Sequence, residues 1–331
     1  MAGTLTPFGN GIGSAAGYDN YSNLVNPLFS EDLITRYYAR TIGGKICAQD
    51  ILPAEIKNIG NQVIFRRTPK AKIHPYTKNQ ILERDGLSTV TIAMPIDRGL
   101  YFNLDIDDVD QHQIPNIDNW IEGYKYDAVE RVAMHVDREI MDTIAIGAHS
   151  LNRGRCAGAV SRSYDMGAMG SPVDMGDSDI ILDKMNEASA VLGEANVDFA
   201  DRFIVLPVSA QPVLARSQVL ASSFNSGLDR SMQLVGMDGF ASPIAGFDSV
   251  YFSNLLPRRW DPVANRYTYA CIFGRRDATG FVTQISRNDY IPKQSDRFAA
   301  QWRALFIYGL KVLRPEALGV LYASFNRKTE A

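Results

Sequence analysis

The stretch from Asn116 to His149 constrains this chain more than any other: NIDNWIEGYKYDAVERVAMHVDREIMDTIAIGAH. No proline interrupts it, and only Gly123 and Gly147 weaken it. Ile117, Ile121, Tyr124, Ala128, Val132, Val136, Ile140 and Ile144 recur every three or four residues, which marks one face of a helix. Asp127 with Arg131, and Arg138 with Asp142, are spaced to pair across one turn. Asn116 and Asn119 both suit the N-cap, and Glu122 completes a capping box with Asn119. At about 1.5 Å per residue the helix is roughly 45–50 Å long. Globular helices average about three turns, so this one suits a scaffold that carries several substructures along its length.

The chain has 331 residues, enough for one large domain or two ordinary ones. At 46% apolar and 21% charged residues the composition is globular. The net charge of −3, from 34 Lys+Arg against 37 Asp+Glu, lacks the basic excess of a general nucleic-acid binder. No apolar run approaches the length that spans a bilayer, so no membrane partner is expected. The opening MAGTLTPFGNGIGSAAGYDN lacks the basic start and apolar centre of a secretory signal. Cys47, Cys156 and Cys271 are too scattered for a zinc site or a disulfide framework. They read as small buried hydrophobes in a reducing compartment.

Residues 1–30, rich in Gly, Asn and Ser, cannot form a core and read as an arm that orders only where it lies on something. Residues 30–43 open on Ser30 as N-cap with acidic residues behind it, which predicts a short helix. Val63-Ile64-Phe65 opens a strand, Thr89 to Met94 alternates strictly, and Leu100, Phe102 and Leu104 alternate again. Between the first two strands lies PKAKIHPYTKNQILERDGL, a long polar hairpin-like loop. A two-stranded projection is marginal alone in water, so this one is expected to lie on another protein surface. Residues 150–177, rich in Gly, Ser and Met, read as an exposed loop. Ser178–Gly193 is an amphipathic helix, and Phe203–Leu206 is a buried strand. Strands follow at Val250–Ser253, Tyr267–Phe273, Phe281–Ile285, Arg303–Leu313 and Leu318–Ala323. The fold class is α+β, with a mixed region from about 180 to 300 and final strands that return to the first half.

Nothing nominates a catalytic group or a cofactor. Gly43-Gly44-Lys45-Ile46 resembles a phosphate loop only superficially, because Ile46 stands where Ser or Thr is required. His74, His112, His135 and His149 have no metalloprotease spacing, and no nucleophile elbow is present. Asp105, Asp107, Asp108 and Asp110 form the best metal candidate, but without the Gly and distal Glu of a calcium loop. Arg66, Arg67, Lys70, Lys72 and Lys78 make the 62–80 region basic. Charge complementarity between copies explains the acidic and basic clusters together, and charges so used set partner and register. Glu83, Arg84, Arg258 and Arg259 complete the candidate intersubunit contacts.

The order of these features resembles the major capsid proteins of tailed bacteriophages, with the Hong Kong 97-type fold. The most family-like wording is DRFIVLPVSAQPVLARS followed by PIAGFDSVYFSNLLP. Ile244, Gly246, Val250, Tyr251, Ser253, Asn254, Leu256 and Pro257 fall on the family's pattern in the second segment. The resemblance implies an N-terminal arm over 1–48, and an extended β-hairpin loop with flanking strands over 49–104. It implies a peripheral domain over 105–179 with a spine helix at 116–149. An axial domain over 180–300 and return strands with the C-terminus over 301–331 complete it. The function implied is that of a head protein, not an enzyme. It would assemble through hexamers and pentamers into the icosahedral shell around the phage genome. Implied partners are further copies of itself, a portal, a decoration protein and a scaffolding protein, separate because the arm is too short to contain one. Contact with packaged DNA would be loose and on the inner surface. The expected location is the virion capsid, and the host cytoplasm during assembly. Lys70, Lys72 and Lys78 are available for the loop crosslink that some relatives form. Two alternatives are an encapsulin-type compartment shell with the same fold and a soluble α/β enzyme with an unrecognised site.

Overall fold

One long helix packs against two different sheets. A computed structural model describes residues 41–48, 62–67, 71–84, 86, 91–113, 117–214, 216, 244–262, 265–292, 294 and 297–325. Elements in the first half are α1 (Gly43–Ile46), β1 (Gln62–Arg66), β2 (Thr91–Pro95), β3 (Arg98–Asp107), α2 (Asp108–Gln113) and α3 (Ile117–Gly147). After them come β4 (Val173–Asp174), α4 (Ser178–Glu194), β5 (Arg202–Leu206), α5 (Gln211–Leu214) and β6 (Ser249–Phe252). The last are β7 (Arg258–Asp261), β8 (Arg266–Arg275), β9 (Thr279–Ile291), β10 (Ala299–Val312) and β11 (Leu318–Ser324). The arm residues 1–40 and the segment 49–61 lie outside the described residues.

The long helix forms as its periodicity dictates and runs through Gly123 without a break. Asp127 pairs with Arg131 at 2.7 Å, the spacing expected across one turn. Its stripe meets a three-stranded sheet, β3-β10-β9, and a six-stranded sheet, β4-β11-β8-β5-β6 with β7 on β8. Val136, Ile140, Met141 and Ile144 share one core with Tyr308 and Leu310 of the smaller sheet. The same core takes in Phe203, Val205, Ile272, Leu318 and Val320 of the larger sheet.

Strand β5 is buried at all five positions, because the six-stranded sheet is covered on both faces. Phe203 and Val205 look to α3, while Ile204 and Leu206 look to α4. Helix α4 starts at Asp177, whose carboxylate accepts from the Asp179 amide at 3.3 Å. It lays Ile181, Met185, Ala188 and Leu192 on Cys271, Phe273 and Leu321. Strands β1 and β2 pair antiparallel, from Gln62 opposite Pro95 to Arg66 opposite Thr91. Their base rests on the smaller sheet through Val63, Met94, Ile96 and Val282.

Three expectations need correction. Residues 150–177 are not an exposed loop: Ala157, Met166 and Met175 are fully buried, and β4 pairs in parallel with β11. Asn152 satisfies the carbonyls of Glu316 and Leu318 at 2.8 and 2.9 Å, and Met166 accepts from the Tyr322 amide. Methionine fills irregular space, so a Gly- and Ser-rich composition hid a packed segment. Cys47 and Cys271 are buried as expected, but Cys156 is exposed. The last two strands diverge. β10 returns to β3, whereas β11 pairs with β8 in the larger sheet.

Replacing Ile144, which is fully buried, with alanine is expected to cost about 2–5 kcal/mol in denaturant unfolding. Ile146, two residues on and 78% exposed, should tolerate the same change within about 0.5 kcal/mol.

Candidate assembly surfaces

Residues 71–84, between β1 and β2, are exposed throughout. Their one ordered turn closes where the Gln80 amide donates to the Thr77 carbonyl at 3.1 Å. Asn79 takes the left-handed conformation there, at φ 69°. Ile73 is 95% exposed and Ile81 90%, with Tyr76 and Leu82 also open to solvent. Single exposed apolar residues are ordinary, but four within one short projection mark an interaction surface. Sequence reasoning treated this loop as polar and missed the four, because they follow neither helical nor strand periodicity.

The candidate contact residues divide into several environments. Arg66 is exposed at the end of β1, and Lys72, Lys78 and Arg84 are exposed in the loop. Glu83 lies 3.7 Å from His74, a pair that is ionic only when the histidine is protonated. Lys70 lies outside the described residues. Arg67 pairs with Glu316 of its own chain, with both side chains nearly half exposed and the pair correspondingly screened. Asp105 and Asp107 stand on one exposed face of β3. Asp105 accepts from Gln294 at 3.1 Å. Asp107 accepts from the Val109 amide at 2.8 Å and so caps α2, which Asp108 opens. Among the described residues no three His, Cys, Asp or Glu side chains could hold a metal ion together. No ion pair joins the loop cations to Asp105, Asp107 or Asp108 among them either. Arg258 sits over the Tyr267 ring at 5.2 Å, and Trp260 lies 4.7 Å from the same ring. Arg259 is exposed between them on β7. No described helix is long and apolar enough to cross a membrane.

A groove separates the middle of α3 from the three-stranded sheet. It encloses about 400 Å³ and is walled by Leu100, Phe102, Val129, Val132, Val136 and Phe306. Thr41 and Gly44 line it too. Asp137, 3% exposed on the apolar side of α3, accepts from the Ile42 amide at 3.0 Å and from the Gly43 amide. Burial pushes its carboxyl above the ordinary range, and the two amides offset only part of that. Gly43 keeps this approach close: a Cβ there would push the carboxylate of Asp137 and the tip of Ile140 aside. Two residues on, Glu139 accepts from the Tyr308 hydroxyl at 2.6 Å and from Arg98 at 3.1 Å, and lies 3.4 Å from His135. Burial raises its carboxyl, but Tyr308, Arg98 and His135 together outweigh that and hold it below its ordinary value. Burial and the neighbouring carboxylate push the Tyr308 phenol up. Sequence reasoning missed both anchors. Asp137 carried a readable signal, a carboxylate next to Val136 on an otherwise apolar stripe.

No protein-family model matches the chain, and no curated protein does. Solved structures do match, over nearly its whole length. A chain from Mycobacterium phage Che8 is 21% identical, with a TM-score of 0.64 over 94% of this chain and 99% of its own. The capsid structure of the cyanophage P-SCSP1u matches at 15% identity and TM-score 0.66, over 98% and 100%. The mature capsid of bacteriophage PhiM1 matches at 15% and 0.61, over 97% and 99%. At such identities the likeness establishes the fold: a mixed α+β architecture shared with phage capsid chains.

The Glu139 cluster makes a pH-dependent prediction. A carboxylate held below its ordinary value stabilises the fold above pH 4.5, and that contribution fades as pH falls through the lower folded value. Glu139→Gln should therefore unfold at lower urea than the parent chain at pH 7. The gap should narrow as pH drops below 4.5. A gap that stays constant with pH would contradict the assignment.

Proposed function

We propose that this chain is the major capsid protein of a tailed phage and forms its icosahedral head through hexamers and pentamers. The observation that carries the reading is a capsid-like fold over the whole chain, bearing an apolar projection that its own copy leaves uncovered. Residues 1–48 are the arm, 49–104 the extended loop, and 105–179 the peripheral domain with α3 as its spine. Residues 180–300 are the axial domain that closes rings; in 301–331, β10 returns to β3 while β11 pairs with β8, and the C-terminus follows. The loop laps over the next copy and takes Ile73, Tyr76, Ile81 and Leu82 out of water. Each contact is modest, but symmetry repeats it around the shell.

Charge then sets register. Arg66, Lys72, Lys78 and Arg84 in or beside the loop, and Arg258 and Arg259 on β7, meet Asp105, Asp107, Asp108 and Glu83 of neighbours. Arg67 is a weaker candidate because Glu316 already occupies it. Shell maturation is a rigid-body shift between the peripheral and axial units. The role is structural and not enzymatic. Further partners are a scaffolding protein, a portal and a decoration protein, with loose inner contact to packaged DNA. The protein resides in the virion and, during assembly, in the host cytoplasm. Nothing in the described residues favours the encapsulin-type alternative.

The test is the double substitution Ile81→Asp with Leu82→Asp, read by electron microscopy and sedimentation. Shells should disappear, while the melting temperature of the unassembled chain stays within about 2 °C, since both residues are exposed. A variant that still closes shells would overturn the role given to the loop.

A further inference from the structure

We propose that residues 42–48 form a strap that clasps α3 to β9 and opens as one unit, with the Asp137 carboxylate of α3 as its catch. The proposal goes beyond the capsid reading and does not rest on it, because every contact it uses lies within one chain.

Three observations converge. The first is that different elements hold the two ends of the strap. At one end the Ile42 amide donates to Asp137 at 3.0 Å, and the Gly43 amide donates to the same carboxylate. At the other, the Ala48 amide donates to the Thr279 carbonyl at 3.0 Å, where β9 begins. The Ala48 carbonyl accepts from the Phe281 amide at 3.5 Å. Between these ends, Ile42, Ile46 and Cys47 are buried in the core that holds Val136, Ile140 and Ile144.

The second is that α1 depends on its seat. It has four residues, and a helix that short does not persist alone in water. Ile42, its N-cap residue, offers no side-chain acceptor, so the first amides have no local partner. Asp137, 94 residues beyond Gly43, takes the capping role. Two more amides bond within the strap: Lys45 donates to the Ile42 carbonyl at 2.8 Å, and Cys47 to the Gly43 carbonyl at 3.1 Å. Losing the catch therefore undoes the turn that carries these bonds, and the segment opens cooperatively.

The third is what the catch buries. Asp137 is 3% exposed. Burial pushes its carboxyl above the ordinary value of 3.8, and the two amides offset only part of that. Among the described residues, neither Lys45 of α1 nor Arg287 of β9, which lines the adjoining groove, contributes to the displacement. On α3, Glu139 is bonded to Arg98 and Tyr308 and lies near His135, and Arg138 acts on Asp142. Cys47 of the strap feels Asp137, but burial and that charge push its thiol up, so it stays neutral. Lifting the strap removes both amides and hands the carboxylate to water. The raised carboxyl binds its proton more firmly with the strap seated than with it open. The strap thus tightens as pH falls through the raised value, levels off below 3.8, and is loosest with Asp137 ionised.

The test is native-state amide exchange on the unassembled full chain. At pH 7 the amides of Ile42, Gly43, Lys45, Cys47 and Ala48 should exchange through one common opening. Their protection should be lower than that of Ile140 and Ile144 in α3 by about tenfold or more. Asp137→Asn keeps the shape but turns an NH2 donor toward one of the two amides. It should lower the protection of all five amides by about tenfold, Ala48 included, with β5 unchanged. Gly43→Ala, whose Cβ pushes the Asp137 carboxylate aside, should do the same. A loss confined to Ile42 and Gly43 would overturn the proposal, as would strap amides that exchange only together with α3. A second measurement works on the parent chain itself. From pH 7 to pH 4, protection of the five amides relative to β5 should rise in the parent and stay level in Asp137→Asn. A parent chain that stays level would overturn the role given to Asp137.

Discussion

The contact of α3 with two sheets at once is what the rest of the structure hangs on. Ile140, Met141 and Ile144 are buried where the three-stranded and six-stranded sheets come together, and no other described α-helix joins that core except the single turn of α1. Each such side chain contributes about 1.5–3 kcal/mol by leaving water. Because the helix is continuous, the smaller sheet and the larger one are held on a common rod. Gly147 permits the close approach at its end, where a Cβ would meet Val312. The hairpin is then carried by the smaller sheet, through Val63 and Met94 on Val282, and Lys311 reaches the Ala93 carbonyl at 2.8 Å.

Polar anchors hold the rod where dispersion alone would let it slide. Glu139 ties α3 to β3 through Arg98 and to β10 through Tyr308. Asp137 ties it to the turn at Ile42 and Gly43. In the larger sheet the buried Arg202 does similar work, donating to the carbonyls of Ser189, Val197 and Asp198. Such groups favour one packing over its neighbours, since a shifted helix would strand a buried charge. The freedom that remains lies at the surface, in the exposed loop and the aromatic strip of β7 and β8.

Much of the framework was legible from periodicity. The long helix, α4 and the strands at 203–206, 267–273 and 303–313 announced themselves through one-face or two-face apolar patterns. What stayed hidden has physical reasons. Residues 150–177 bury methionines without any repeat, so no window could detect them. The partner of β11 is a matter of topology, and a short apolar strand does not name its neighbour. Asp107 looked like part of a metal cluster because a helix cap and a cation ligand use the same carboxylate. Arg67 looked free for a neighbour because Glu316 is remote in sequence. The loop's charges were legible, yet its four apolar side chains say more about what it does.

A shell built from this chain requires the loop to find its cover on another copy. The direct measurement is a high-resolution electron-microscopy reconstruction of particles assembled from the full chain. It should reveal closed icosahedral shells in which Ile73, Ile81 and Leu82 lie against an adjacent subunit. Particles in which those side chains face solvent would contradict it. So would a chain that stays monomeric across scaffolding and salt conditions.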